Sequence, residues 1–362
     1  MKQKIFINSF IFFILLIIIA LILSKILILK ENFIEDKTRL KVFYEEPKGT
    51  IDVVFIGPSC IYTGYNNLIA WHNFGITSLI LAFDNFPISA NKYFIKEIMN
   101  VQKPKLIVIS IDNCQLSITD KFAFKKNIKY LNYFKFSLNK LLLINAINKE
   151  YKQNLGDKVS NSELLGLYFP VLIMHTRWKF LDRKINKKYT NIVSTIPKGI
   201  YIKDKFYSKN KRYNPDMLSF SILTDYKLYL FKDLFEFINK NNVPVILINS
   251  PNEFLYRNKE KYIEYHKQFL KVYKLAEEYN IPYIDLFDES KIKEMDIKQN
   301  DFSDQIHLNF YGSTKYTKYL TKILQEKYNI VDKRSKKEYN DWNIDYMKYK
   351  NFLMNNYNIE IN

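Results

Sequence analysis

Asp304-Gln305-Ile306-His307 holds a carboxylate and an imidazole three residues apart. At that offset an aspartate can accept the proton on the histidine's Nδ1 and leave Nε2 free to take one from a nucleophile. A matching hydroxyl lies at the far end of the chain, where Ile56-Gly57-Pro58-Ser59 places a serine directly after a short apolar run. A serine oxygen is a weak nucleophile until a base removes its proton. The pattern therefore predicts acyl transfer or ester hydrolysis, provided the fold brings residues 59 and 307 together. Asp301 is a competing acid, but the offset of Asp304 suits an Nδ1 contact on a tight turn better. Cys60 is a rival nucleophile. Successive side chains diverge, so only one of the two can face the base; Ser59 is preferred, with Cys60 as small core filler. A serine at this position also reads as a helix N-cap. Gly312 would permit the turn into the last helix.

These residues need elements to position them. Val53–Ile56, Ser78–Ala82, Leu106–Ile111, Val243–Asn249 and Pro282–Leu286 are short apolar runs. Uninterrupted runs of this length suit strands buried on both faces. Between them lie helix-like stretches at Asn91–Met99, Tyr226–Asn241, Lys259–Tyr279 and Ser313–Glu326. Alternating strands and helices predict an α/β fold, a doubly wound, mostly parallel sheet spanning residues 51–330. In such sheets ligand sites lie beyond the carboxyl ends of the strands. Ser59 follows the first strand, Asn113 the third, and Asp304 and His307 the last, so all four fall on one rim. Asn113 reads equally as a loop residue making a local turn.

Residues 115–225 break this rhythm and include a helix-like piece at Leu138–Tyr151. A long insertion between strands commonly forms a lid. Its His175-Thr176-Arg177-Trp178 could line the cleft, Arg177 pairing with an anionic group and Trp178 stacking on a sugar. A buried Trp beside a surface Arg explains the same residues. His72 and His266 reveal no partner and read as structural or exposed. The tail, 331–362, carries Trp342, Tyr346 and Tyr349 at near-helical spacing and reads as a docked amphipathic helix.

Ile5–Leu23 carries no charge and is rich in Ile, Phe and Leu. A bilayer-crossing helix needs about 20 such residues. Residues 1–30 therefore read as a transmembrane anchor, with 31–50 as a stalk. Lys2 and Lys4 favour a cytoplasmic N-terminus, with the remaining chain outside the cytoplasm. No Ala-x-Ala-like cleavage site follows, which favours an uncleaved anchor over a signal peptide. A buried core helix in an intracellular protein is the alternative.

The net charge is +18, from 55 Lys+Arg and 37 Asp+Glu. Such a balance can attract nucleic acid, anionic lipid or an anionic polymer. The lysines are scattered, as under an AT-rich coding bias, and no usual DNA-binding motif is present, so no nucleic-acid partner is expected. With 48% hydrophobic residues the chain can bury a sizeable core. Cys60 and Cys114 follow apolar runs; two partly buried free thiols are favoured over a disulfide. Four histidines and no Cys-x-x-Cys spacing argue against a zinc site, and no other metal or cofactor is implied.

Ile56-Gly57-Pro58-Ser59, Asn113 and Asp304-x-x-His307-Leu308-Asn309 together resemble the SGNH (GDSL-type) hydrolase superfamily over about residues 51–125 and 240–328. The resemblance implies Ser59 as nucleophile, Asn113 as an oxyanion-hole side chain, and Asp304 and His307 as acid and base. Backbone N–H groups at Ala82 and Cys60 would complete the oxyanion hole. The anchor and insertion are similar to bacterial membrane-anchored SGNH-like proteins, relatives of the D-alanyl-lipoteichoic acid transfer protein and of polysaccharide O-acetyltransferases. The substrate implied is a cell-envelope polysaccharide or teichoic polymer, and an implied partner is a membrane-bound O-acyltransferase. Three departures touch the oxyanion hole or its surroundings: Pro58 before the serine, Ala82 in place of a glycine, and Ile111 two residues before Asn113. They motivate the alternative of a non-catalytic domain that binds an envelope polymer or scaffolds an acyltransferase.

Overall fold

At the centre of the protein lie five short parallel strands: Val53–Gly57 (β1), Ser78–Ala82 (β2), Leu106–Ser110 (β3), Val245–Ile248 (β4) and Tyr283–Ile284 (β5). The computed structural model describes residues 2–29, 34–115, 121–175, 197–201 and 222–361. Every residue of β1 to β4 is buried. This is why those segments are unbroken runs of Val, Ile and Leu rather than alternating patterns. The last strand is shorter than the Pro282–Leu286 run suggests. It lies at a sheet edge, and Pro282 has no N–H to extend the ladder, though its carbonyl accepts from Leu247 N–H at 2.9 Å.

The strand order is β2-β1-β3-β4-β5. The first crossover runs one way across the sheet and the later ones run the other, so right-handed connections distribute the helices over both faces. On one face, Ser59–Gly64 and Asn67–Phe74 pack against Phe310–Tyr328. The opposite face carries Asn91–Val101, Asp225–Lys240 and Lys259–Glu278. The Asp225–Lys240 helix shows how sequence fixes such an element. Thr224 accepts from Lys227 N–H as its cap, and Phe231, Leu234, Phe235 and Ile238 form its buried stripe.

The N-terminal residues form one helix, Lys2–Leu29, whose Gln3–Leu27 portion has mean hydropathy 3.1 and no buried residues over its most apolar stretch. It is long and apolar enough to cross a membrane. Within the segment read as a stalk, the described residues begin at 34. Ile34–Glu45 is a helix whose Leu40 and Phe43, three apart, are wholly buried against the domain. Its Arg39 and Asp36 pair at 2.6 Å, and the Arg39 guanidinium lies over the Tyr62 ring.

At the other end, Asn340–Tyr357 forms a helix that buries Trp342, Tyr346, Tyr349 and Leu353. Trp342 sits 5.5 Å from Trp71, and Asn66 Nδ2 donates to the Tyr349 hydroxyl at 2.6 Å. Within 115–225, Leu138–Leu155 packs on Asn91–Val101, and Val171–Met174 packs on the N-terminal helix.

A buried cation joins three of these distant pieces. Lys198 Nζ contacts Glu46, Asp341 at 2.9 Å and Asp345 at 3.5 Å, and lies 4.5 Å from the Trp342 ring. Lys198 and Glu46 side chains are only 5% and 8% exposed. Removing one partner of a buried pair strands the other charge, at a cost of about 3–5 kcal/mol. Lys198→Met, which keeps the aliphatic stem, is expected to lower unfolding free energy by about 3 kcal/mol in urea titration. An unchanged midpoint would show that the network carries no stability.

Candidate active site

Ser59 is the first residue of the Ser59–Gly64 helix, immediately beyond β1. Pro58, not Ser59, occupies the N-cap position, and no side chain caps this helix. The serine hydroxyl is instead directed across the rim to His307, with Ser59 Oγ and His307 Nε2 2.8 Å apart. Gly57 makes the approach possible. It adopts φ +155°, and a Cβ there would lie 2.6 Å from Ser110 Cβ. The end of β1 can therefore lie against β3 only without a side chain at that position.

His307 and Asp304 are set by a closed turn. Ser303 N–H donates to His307 O at 2.9 Å, and Phe302 and Leu308 form an antiparallel bridge beyond it. The Asp304 carboxylate faces inward, accepting from Ile306 N–H at 3.1 Å, His307 N–H at 3.0 Å and the His307 ring nitrogen Nδ1 at 2.8 and 2.9 Å. An ionised carboxylate only accepts, so Nδ1 carries the ring proton, and Nε2 becomes the acceptor for the Ser59 hydroxyl. The His307 side chain is 16% exposed, so its polar partners operate partly shielded from water.

Asp301, the competing acid, is engaged elsewhere. It accepts from Lys298 N–H at 2.7 Å and Lys315 Nζ at 2.8 Å. Asn309 caps Phe310–Tyr328 by accepting from Tyr311 and Gly312 N–H, and its own N–H donates to Asp301 O at 2.8 Å. Gly312 does not make the turn into that helix. It lies within the first helical turn, where a Cβ would collide with the Asp301 carbonyl.

Of the expected oxyanion donors, Asn113 lies in the turn after β3, 3% exposed, with neither polar atom of its amide paired among the described residues. A buried amide without partners costs about 1–3 kcal/mol, so its retention needs a reason. Cys60 is half-buried in the first turn beyond Ser59, not core filler; it and Cys114 are free thiols. Ala82 is displaced from the role expected of it. Phe83 N–H donates to Gly57 O at 3.0 Å, and neighbouring N–H groups in a strand alternate sides. The Ala82 N–H therefore points away from β1 and Ser59. A donor from this strand must come from the turn that follows it.

His175 is exposed, and its Nδ1–H donates to Leu172 O at 2.9 Å on the short helix beside the N-terminal helix. That local contact does not bring it to the serine–histidine pair. Arg177 and Trp178 lie outside the described residues.

Two features had no sequence signal. His266 Nε2 meets Asp285 Oδ2 at 2.6 Å, while Asn249 holds the other carboxylate oxygen at 2.8 Å. The His266–Asp285 separation is nineteen in sequence, so no local motif announces it. Asp112 stands next to Asn113 and bridges the ends of β3 and β4. Its carboxylate accepts from Ser110 Oγ at 2.8 Å, Ser250 Oγ at 2.8 Å and Ser250 N–H at 3.1 Å.

No protein-family model matches this chain, and no curated protein matches it.

Although Asp112 keeps some surface, its carboxylate is enclosed. Burial pushes its pKa up to about 6, against the hydrogen bonds from Ser110 and Ser250. The folded value exceeds the unfolded 3.8, so the folded state holds this proton more tightly. Its contribution to stability is present below about pH 4 and lost as pH rises through 6. Asp112→Asn, which does not titrate, is expected to gain on the wild type by roughly 2 kcal/mol between pH 4 and pH 7. Parallel melting curves across that range check this; a constant gap would reject the shift.

Proposed function

We propose that the chain is a membrane-anchored, SGNH-type serine esterase or O-acyltransferase. The observation that carries this reading is the 2.8 Å contact between Ser59 Oγ and His307 Nε2, with Nδ1 of the same ring held by Asp304. His307 takes the Ser59 proton as Oγ attacks an ester carbonyl, and returns it to the departing alcohol oxygen. The acyl group is then carried on Ser59. Water or an acceptor hydroxyl gives its proton to His307 and attacks the acyl carbon, and the proton passes back to Ser59 as the ester bond breaks. The unpaired Asn113 amide and the N–H groups around Cys60 suit the oxyanion of both tetrahedral intermediates; each such donor contributes roughly 3 kcal/mol. The N-terminal helix supports an anchor, and with it a catalytic domain outside the cytoplasm. A cell-envelope glycan or teichoic polymer is the substrate class, with a membrane-bound O-acyltransferase as an acyl source.

One observation favours the non-catalytic alternative: the Ala82 N–H faces away from Ser59. A domain of that kind would bind polymer or scaffold an acyltransferase without turning over.

A fluorophosphonate probe is expected to label the full-length protein at Ser59, and Ser59→Ala to abolish labelling and p-nitrophenyl acetate hydrolysis. Asp304→Asn, which leaves the ring in the wrong tautomer, is expected to lower kcat about 10³–10⁴-fold. Labelling that survives in Ser59→Ala would refute the nucleophile. A folded protein that neither labels nor hydrolyses would favour the scaffold.

A further inference from the structure

A cavity of about 540 Å³ opens where the N-terminal helix meets the domain. The helix contributes Leu21, Ser24 and Lys25, and the domain contributes Lys140, Leu167 and Pro170 among others. Ser24 fixes the junction. Its hydroxyl oxygen accepts from Val171 N–H at 3.0 Å and its proton goes to Ala20 O at 2.6 Å. The contact holds the domain against the last turns of the Gln3–Leu27 span, so the cavity sits at the level where a crossing helix leaves the hydrocarbon.

The cavity opens to the surface, and its lining is strongly basic. Lys25, Lys135 and Lys140 all line it; Lys135 lies over the Tyr44 ring, and neither Lys25 nor Lys140 pairs with a carboxylate among the described residues. The Lys140 ammonium donates to Phe134 O at 3.2 Å, a neutral partner. Burial, and secondly the Lys25 charge, push its pKa down to about 8. Lys140 also lies in the first turn of Leu138–Leu155, the positive end of the helix dipole. Three lysines and a helix dipole thus place positive potential at this cavity, with no carboxylate among the described residues that line it. Around them the domain exposes large apolar side chains: Phe136 is 79% and Leu138 72% exposed, and Leu142 and Leu172 are exposed as well. In water such a cluster is unfavourable; against lipid it is buried.

We propose that this cavity binds the headgroup of an anionic phospholipid, its phosphate between Lys25 and Lys140 and its acyl chains along the apolar surface of the N-terminal helix. Phe136 and Leu138 then enter the interface beside it. The lipid ties the domain to the bilayer surface in one orientation and neutralises the lysine pair. The inference rests on the anchor reading above and is independent of the chemistry at Ser59.

Native mass spectrometry of the full-length protein in mild detergent tests it, with phosphatidylglycerol, phosphatidylcholine and inorganic phosphate as probes. Phosphatidylglycerol is expected to be retained about tenfold better than phosphatidylcholine, from two lysines near the surface. Lys140→Gln and Lys25→Gln should each lose most of that preference, and Lys140→Arg should keep it. Excess inorganic phosphate should leave the lipid in place. Lys140→Gln should melt no lower than wild type without lipid, since it removes like-charge crowding. Equal retention of the two lipids, a preference that survives both glutamine variants, or displacement by inorganic phosphate would each overturn the proposal. Intact mass separates the two readings: a mature chain beginning after residue 29 removes the anchor and this site together. Failed lipid selectivity in a chain that keeps the helix overturns this site alone.

Discussion

The contact between Ser59 and His307 spans 248 residues, and everything at the site depends on the sheet being parallel. In a parallel sheet every strand ends on the same rim. The residue after β1 and the turn before the Phe310–Tyr328 helix can meet there with neither chain making a special excursion. The same arrangement delivers Asp112 and Asn113 from β3 and Ser250 from β4. Precision comes from a few close approaches: Gly57 against Ser110, Gly312 against Asp301, and the Ser303–His307 closure. Each lacks room for the ordinary alternative, a methyl group or a longer loop.

Around this frame the chain's outlying parts are tied by buried cations. Lys333 reaches Asp52 at 2.7 Å, just before β1, and lies over the Tyr339 ring. Lys198 does the same between Glu46 and the C-terminal helix. Both use a flexible ammonium whose apolar stem and aromatic neighbour offset part of its lost hydration. The Ile34–Glu45 helix and the C-terminal helix are therefore extensions of the domain's surface. Arg39 carries the first of them to Tyr62, three residues beyond Ser59.

Much of this was legible in the sequence, because most of the strands are buried on both faces and so declare themselves as continuous apolar runs. Ser78–Ala82 begins and ends where its residues suggest, and the serine, aspartate and histidine lie together as their positions after strands imply. Three kinds of information were not legible. Residues 34–45 look like a solvated stalk because Leu40 and Phe43 stand in a charged stretch, two of whose charged members, Asp36 and Arg39, are themselves buried against the domain. The direction of the Ala82 N–H depends on ladder register, which composition does not encode. The His266–Asp285 and Asp112–Ser250 contacts are made by residues far apart in sequence, and no local pattern ties their partners. Gly312 was legible as a constraint but not as to which: helix-start crowding, rather than chain reversal, excludes a side chain there.

The division of labour between Asp301 and Asp304 follows from the same geometry. Both acids lie within six residues of the histidine, and either could neutralise an imidazolium in an unfolded chain. Asp301 is buried where Lys315 and the Lys298 N–H reach it, and its backbone carbonyl holds Asn309, so it anchors the helix that follows. Its charge is consumed in structure. Asp304 takes two backbone N–H groups and both contacts to Nδ1, at 37% side-chain exposure. The two backbone donors fix the carboxylate so that both of its oxygens face the ring nitrogen. One acid engaged by lysine and the other aimed at Nδ1 is the arrangement that keeps the histidine oriented for proton transfer. A lysine at Asp304 would compete for the carboxylate and weaken its hold on Nδ1, and the Ser59 hydroxyl would lose its acceptor.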